Sequence, residues 1–153
     1  MPEKILPIIP RVATVALALL LSTGSAFAQS MVSVKSQMLN MREGPGTRHP
    51  VIWQLSRGYP LQVVSRQADW LKVKDFEGDS GWVSRSLTAA TPHHVVKASK
   101  ANLRSGPGTK YRVKGSMAYG ETLRTLQKQR QWVKVRHESL GEGWVSRQLL
   151  WGW

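Results

Sequence analysis

The sequence predicts an all-β protein made of two tandem small, partly open barrels behind an N-terminal export segment. Residues 34–88 and 96–150 are one segment written twice at a constant offset of 62, without a gap and with 21 identities in 55 positions. After residue 30 helical periodicity is hard to find, and short alternating apolar runs are broken by Gly, Pro, Asn and Asp, as in small all-β folds. The first 28 residues differ in character from everything that follows. Two copies at so long a period read as a pair of domains, since solenoids repeat at about 20–50 residues and need three or more copies.

The leading segment has the layout of a secretory signal peptide. Lys4 and Arg11 give a basic start, Val12 to Leu21 is an apolar run, and Ala26-Phe27-Ala28 is a small-x-small end, so cleavage is expected after Ala28. A retained anchor would need about 20 apolar residues. The run after Arg11 is shorter, and Pro7 and Pro10 oppose extending it backwards. The organisation expected is therefore 1–28 signal peptide, 29–88 first module, 89–94 connector and 95–153 second module, with no transmembrane span after cleavage. The chain has no cysteine, which excludes a lipid-anchored product and any disulfide. Each module must stand on a core of about 55–60 residues, near the lower limit for independent folding.

Candidate strands in the first module, in order, are Val32–Lys35, Leu39–Arg42, Val51–Leu55, Leu61–Ser65, Leu71–Lys74 and Trp82–Ser84. Gly44-Pro45-Gly46 is a compact turn, because proline fixes φ and glycine permits positive φ beside it. Gly58 and Gly120 mark a tight connection between the third and fourth strands, and Phe76 to Ser80 closes a hairpin between the last two. Alternation places Leu71 and Val73 on one face, with Trp70, Lys72 and Lys74 on the other. The second copy repeats the split, with Val133 and Val135 inward and Trp132, Lys134 and Arg136 outward. Val83 and Val145 likewise leave Trp82 and Trp144 outward. Lys74 is expected near Trp82 and Arg136 near Trp144, within reach of a cation–π contact of about 0.5–1 kcal/mol. The alternative for these tryptophans is that they cap the ends of small cores.

Three blocks recur in both copies: Asn-x-Arg-x-Gly-Pro-Gly-Thr (40–47 and 102–109), Trp-x-Lys-Val, and Gly-Trp-Val-Ser-Arg-x-Leu (81–87 and 143–149). In combination they resemble the bacterial SH3 domain family, and most closely the tandem, exported SH3-like proteins of proteobacteria. The resemblance covers nearly all of the chain after the leader. It implies an SH3-type barrel, with Ser84–Leu87 and Ser146–Leu149 forming the short 3₁₀ turn before the last strand. It also implies wall targeting, since several members recognise peptidoglycan. By likeness to eukaryotic SH3 domains, Trp70 and Trp132 occupy the position of the groove tryptophan. The tyrosine-rich segment of a proline-binding groove is replaced here by Asn-Met-Arg-Glu-Gly and Asn-Leu-Arg-Ser-Gly, which argues against proline-rich ligands. Gly81-Trp82 and Gly143-Trp144 are also similar to wall-binding GW modules.

The candidate ligand-binding residues are Trp70, Lys72, Lys74, Trp82 and Arg42, with Trp132, Lys134, Arg136, Trp144 and Arg104 in the second copy. Arg42 and Arg104, at a loop edge, suit either carboxylate or phosphate recognition or a structural role. For Asn40 and Asn102 the favoured role is structural, through a bond to their own backbone two residues on. Catalytic constellations are absent. None of His49, His93, His94 and His137 recurs in the other copy, and the chain lacks a thiol nucleophile. Asp75, Glu77 and Asp79 share a loop and could hold a hard cation weakly, but their counterparts are His137, Ser139 and Gly141, so a solvated loop is expected. Neither a metal nor a cofactor is expected, and no enzymatic activity.

Charge is lopsided. Residues 29–95 carry eight Lys/Arg against five Asp/Glu, a net of +3, whereas residues 96–153 carry twelve against three, a net of +9. So basic a domain attracts anionic partners over distance, in a salt-dependent way. Three roles follow as expectations for a periplasmic or secreted monomer. The first is binding of peptidoglycan or a wall-associated protein; the second, electrostatic binding of nucleic acid or lipid headgroups by the second module; the third, a scaffold or adaptor for another periplasmic protein. Trp53, Tyr59, His49 and Arg57 become Gly115, Glu121, Tyr111 and Tyr119, which reads as two different contact surfaces. Trp151 and Trp153 have no counterpart.

Overall fold

The computed structural model describes residues 30–153; the export segment expected over 1–28 lies outside them. In the first module, β1 (Met31–Val34), β2 (Met38–Arg42), β3 (Val51–Ser56), β4 (Pro60–Gln67), β5 (Trp70–Lys74) and β6 (Ser80–Ser84) precede a 3₁₀ turn at Arg85–Leu87 and β7 (Thr88–Ala89). The second repeats this plan. It runs through β8 (His93–Val96), β9 (Lys100–Arg104), β10 (Val113–Ala118), β11 (Thr122–Lys128), β12 (Trp132–His137) and β13 (Gly141–Ser146) to a 3₁₀ turn at Arg147–Leu149 and β14 (Leu150–Gly152). Each module is a seven-stranded antiparallel sheet, open rather than closed, in the orders β3-β2-β6-β5-β4-β1-β7 and β10-β9-β13-β12-β11-β8-β14. The two 3₁₀ turns fall where the sequence resemblance implied them.

Eight core residues of the first module recur at the 62-residue offset in the second: Val34, Leu39, Met41, Leu55, Leu61, Leu71, Val73 and Val83 against Val96, Ala101, Leu103, Met117, Leu123, Val133, Val135 and Val145. Leu39 shrinks to Ala101 and Leu71 to Val133. Leu150 joins the buried cluster, and Leu140 and Leu149 pack against it. A bulge interrupts the β4–β5 ladder between Val63 and Ser65 and the β11–β12 ladder between Thr125 and Gln127, the same place in both copies. Such kinks bend a sheet and add twist, which lets it curl around a small core.

In each module the β2–β3 hairpin joins the remaining strands through a single bridge, Arg42 to Trp82 and Arg104 to Trp144. Glycine makes that junction possible. A Cβ on Gly143 would lie 2.7 Å from the Arg104 carbonyl oxygen and 2.7 Å from Leu103 Cγ. One on Gly81 would lie 2.5 Å from Met41 Cγ and 3.0 Å from the Arg42 carbonyl.

The connector is shorter than the sequence suggests. Ala89 pairs with Ser33, and His93 and His94 belong to β8, which leaves only 90–92 between strands. His94 misleads because it is a polar residue in a core position. It is 2% exposed, faces Leu123 and Gly152 across the ladders, and its Nδ1 lies 2.6 Å from Thr125 Oγ1. Burial pushes its imidazole down to about 4, helped by Lys128 and Arg147 nearby.

The modules are also packed on one another. β4 lies against β8 and β14, and Val95, on the face of β8 turned away from the core, is 0% exposed. The connector is tied to both: Ser33 of the first module donates to the Thr91 carbonyl at 2.8 Å, and Thr125 N–H of the second donates to the Pro92 carbonyl at 3.0 Å. Phe76 stands between Tyr59 and Tyr119, with ring centroids 6.1 and 5.3 Å away, and the Tyr119 hydroxyl donates to Glu77 Oε1. Trp151, paired with Val95 across β14, and Trp153 are both half-buried.

Two outcomes follow. Gly143→Ala forces the crossing strands apart and should cost about 1–3 kcal/mol in urea unfolding, the range for overpacked sites. His94 takes up its proton near 6.5 when unfolded and near 4 when folded, so its stabilisation is full above about pH 6.5 and lost as pH falls towards 4. Unfolding free energies at pH 7 and pH 4 should differ through this group by about 3 kcal/mol, and His94→Gln should remove that part of the slope.

Candidate functional site

The pleat turns the candidate side chains as the alternation requires. Leu71, Val73, Val133 and Val135 are buried, Trp70, Lys72, Trp132 and Lys134 are half-buried, and Lys74 and Arg136 are exposed. Val83 and Val145 are buried while Trp82 and Trp144 are half-buried. Facing outward together does not place these residues in one site. Trp132 opens β12 opposite Ser146, whereas Trp144 lies opposite Lys134, further along the hairpin.

Trp132 forms the centre of a groove. Two adjoining hollows of about 530 and 330 Å³ share Trp132, Thr109, Ser146 and Gln148. Arg130 and Arg147 border one, Lys100 and Arg104 the other, and no acidic residue lines either. Its walls are the loop after β9, the β11–β12 turn and the 3₁₀ turn after β13. Trp144 lines a separate hollow of about 340 Å³ with Lys114, Lys134 and Glu142.

The expected pairing of Lys74 with Trp82 and Arg136 with Trp144 is corrected by the register. Lys74 lies opposite Ser80 and Arg136 opposite Glu142; the residues facing the tryptophans are Lys72 and Lys134. Lys74 leans over the turn, its Cε 3.9 Å from the place a Cβ on Gly78 would take. Arg136 donates to Glu142 Oε1 at 2.6 and 3.2 Å through Nη2 and Nε, and this holds the Glu142 carboxyl below its ordinary range. Among the described residues a cation stands over an aromatic ring at Lys110 and Tyr111, 5.5 Å apart, away from these tryptophans.

The two recurring arginines act on their own loops. Arg42 Nη1 donates to the carbonyls of Thr47 at 3.2 Å and His49 at 2.9 Å; Arg104 Nη1 donates to those of Thr109 at 2.9 Å and Tyr111 at 3.0 Å. Each thereby closes the Gly-Pro-Gly-Thr turn, while the ring of His49 or Tyr111 packs on Gly44 or Gly106. Asn40 does not make the local backbone bond expected of it. Its Oδ1 accepts from Gln54 Nε2 at 3.2 Å across the β2–β3 ladder.

The acids and histidines form turns. Asp75 Oδ1 accepts the N–H groups of Glu77 and Asp79, each at 2.9 Å, and Oδ2 lies a long 3.5 Å from the Tyr59 hydroxyl. Burial raises the Asp75 carboxyl, and the two N–H bonds oppose that rise. The ligand atoms of Asp75, Glu77 and Asp79 lie within 4.8 Å of one another, but one Asp75 oxygen is already committed to the turn. In the second module His137 takes the place of Asp75. Its Nδ1 accepts the N–H groups of Ser139 and Leu140, each at 3.1 Å, and Nε2–H donates to Glu121 Oε2 at 2.7 Å. Glu121 is the counterpart of Tyr59, so donor and acceptor have changed places.

Sequence reasoning missed Lys100, Thr109, Arg130, Gln131, Arg147 and Gln148 in the groove. Thr109 and Arg147 could have been found, since both are identical in the two copies. Lys100 and Arg130 replace Met38 and Ala68 and carry no such signal.

A pair of open antiparallel β-sheet modules, each with a half-buried tryptophan at the start of its fifth strand, an arginine-stapled loop and a 3₁₀ turn before its last strand, defines the class of small SH3-like domain. Two families described as bacterial SH3 domains match the chain, one over residues 35–89 and the other over 99–150, and the protein belongs among the tandem bacterial SH3 domain proteins. It is 27% identical over 134 residues to the "Putative N-acetylmuramoyl-L-alanine amidase YrvJ" of Bacillus subtilis (strain 168), a match over 80% of this chain and 26% of that protein. Among solved structures it is similar to NlpC2 from Trichomonas vaginalis, with 11% identity and a TM-score of 0.37 over 80% of this chain and 48% of that one. It is also similar to an NlpC/P60 family protein from Bacillus cereus ATCC 10987, with 15% identity and a TM-score of 0.38 over 81% and 56%. The chain thus spans about a quarter of the amidase and about half of these structures.

The stapling role of arginine is open to test. Arg104→Met should lower stability by about 1–2 kcal/mol, the scale of charge-assisted hydrogen bonds, and should speed amide exchange across residues 105–111.

Proposed function

We propose that this is a non-catalytic protein of the bacterial envelope, periplasmic or secreted, whose tandem SH3-like modules bind peptidoglycan or a wall-associated protein. Bacterial SH3 domains commonly bind wall components and are typical of extracytoplasmic proteins. No helix among the described residues is long and apolar enough to cross a membrane. The carrying observation is the Trp132 groove, an indole between Lys100, Arg104, Arg130 and Arg147 with no acid in its lining. Wall peptides carry free carboxylates and wall glycans present flat sugar faces, and a cation-rimmed indole suits both. The amidase relative adds a wall context, though over a quarter of its length.

The non-catalytic reading is supported by the lack of cysteine and by the work the histidines already do. His49 packs on Gly44, His93 bonds the Thr91 carbonyl, His94 is buried on Thr125, and His137 holds a turn. The net of +9 on residues 96–153 favours a second reading, diffuse binding of anionic polymer by the second module. Retention on purified sacculi separates the two. Groove binding predicts that Trp132→Ala lowers affinity about tenfold, some 1.4 kcal/mol, with modest salt dependence. Retention equal to a charge-matched control, or unchanged in Trp132→Ala, would falsify groove recognition. A steep loss with salt and no effect of the indole would instead identify diffuse binding.

A further inference from the structure

A crevice of about 580 Å³ lies between the modules, and its lining is cationic. Arg57, in the β3–β4 turn of the first module, faces Arg124, Arg136, His93 and His137 of the second, with Glu138 at the same crevice. Three of these residues form one row across neighbouring strands: His93 is opposite Arg124, Arg124 opposite Arg136, and Arg136 opposite Glu142. Residues directly opposite one another share a face, and like charges so placed are destabilising. Glu142 offsets Arg136 through their hydrogen-bonded ion pair. Arg124 and Arg57 have no carboxylate partner among the described residues.

The first module shows what this row looks like without such a load. The equivalent residues are Met31, Gln62, Lys74 and Ser80, in the same cross-strand order. Two positions that are neutral there, Met31 and Gln62, have become His93 and Arg124 where the second module meets the first, and Arg57 is supplied from the other side. Guanidinium groups converging on a concave site from two bodies, with one pair left repelling, are arranged for a ligand carrying oxygen anions.

We propose that the inter-module crevice is a discrete oxyanion site, in which Arg57 and Arg124 grip a phosphate or carboxylate group of an envelope polymer or peptide. The site does not depend on the Trp132 groove, whose lining residues are different. It requires both modules, which distinguishes it from general attraction to the basic second half.

The test is a chemical-shift titration of the intact two-module protein at constant ionic strength with inorganic phosphate, with succinate, and with chloride as the reference. The expected result is saturable shifts at the Arg57 and Arg124 side-chain N–H groups and at His93, for phosphate or succinate above chloride. Affinity should fall at least about fivefold in Arg57→Gln and Arg124→Gln and stay unchanged in Arg48→Gln, a cation outside the crevice. Phosphate acting alone assigns a phosphate-bearing ligand; succinate acting alone assigns a carboxylated one. Arg124→Gln should also melt no lower than the parent in anion-free buffer, because a cross-strand repulsion is gone. Shifts that do not saturate, that spread evenly over basic residues, or that persist in Arg124→Gln overturn the site. Such a result would leave sacculus binding through Trp132 untouched.

Discussion

Each module depends on one close crossing of strands. Gly81 and Gly143 bring β6 and β13 within van der Waals reach of the Arg42 and Arg104 carbonyls, at a junction held by a single backbone bridge. The two most strongly repeated blocks of the sequence, around Asn-x-Arg-x-Gly-Pro-Gly-Thr and Gly-Trp-Val-Ser-Arg, are the two sides of that junction. Glycine permits the approach, the arginine backbone receives it, and the arginine side chain then fastens the following loop. The loop forms one wall of the Trp132 groove and the 3₁₀ turn after the second block forms another, so the groove is a consequence of how the sheet is joined.

Differences between the copies are mostly exchanges that preserve a local arrangement. Tyr59 with Asp75 becomes Glu121 with His137, and the hydrogen bond between them reverses direction while the turn keeps a side-chain acceptor for its N–H groups. His49 and Tyr111 lay a ring on the same glycine. Trp53, half exposed on β3, gives way to Gly115, and the bulk reappears as Leu140, packed on that glycine where the first module has Gly78. Arg57 and Tyr119 both face the other module, one in the crevice and one on Phe76 and Glu77. These substitutions thus compensate one another locally, while Trp53, Tyr111 and Tyr119 stay exposed.

The strands were legible in sequence because their signal is local. Leu71 and Val73 against Trp70 and Lys72 give a period of two, and glycine and proline punctuate the ends. Leu71, Val73 and Val83 of the core, with Val133, Val135 and Val145, followed from the same alternation; the core positions on the earlier strands were not singled out. Register was not legible, because the residues on either side of the β5–β6 and β12–β13 turns do not reveal how many of them the turn consumes. That misplaced Lys74 and Arg136 by one cross-strand step of two residues. Nor could a polar His94 be recognised as a core residue, since its burial depends on Thr125 and β14, distant in sequence. The groove was half legible: its tryptophan was found, but Lys100 and Arg130 reach it only through folding.

The three-residue connector has a mechanical consequence. With β4 lying against β8 and β14, Val95 buried, and Phe76 held between two tyrosines, the modules are not beads on a flexible string. A polymer gripping both at once gains avidity only if its own repeat matches a spacing the protein has already set, because no slack chain averages over mismatched positions. Such a tandem would act as a ruler, answering to the periodicity of its target as much as to its chemistry.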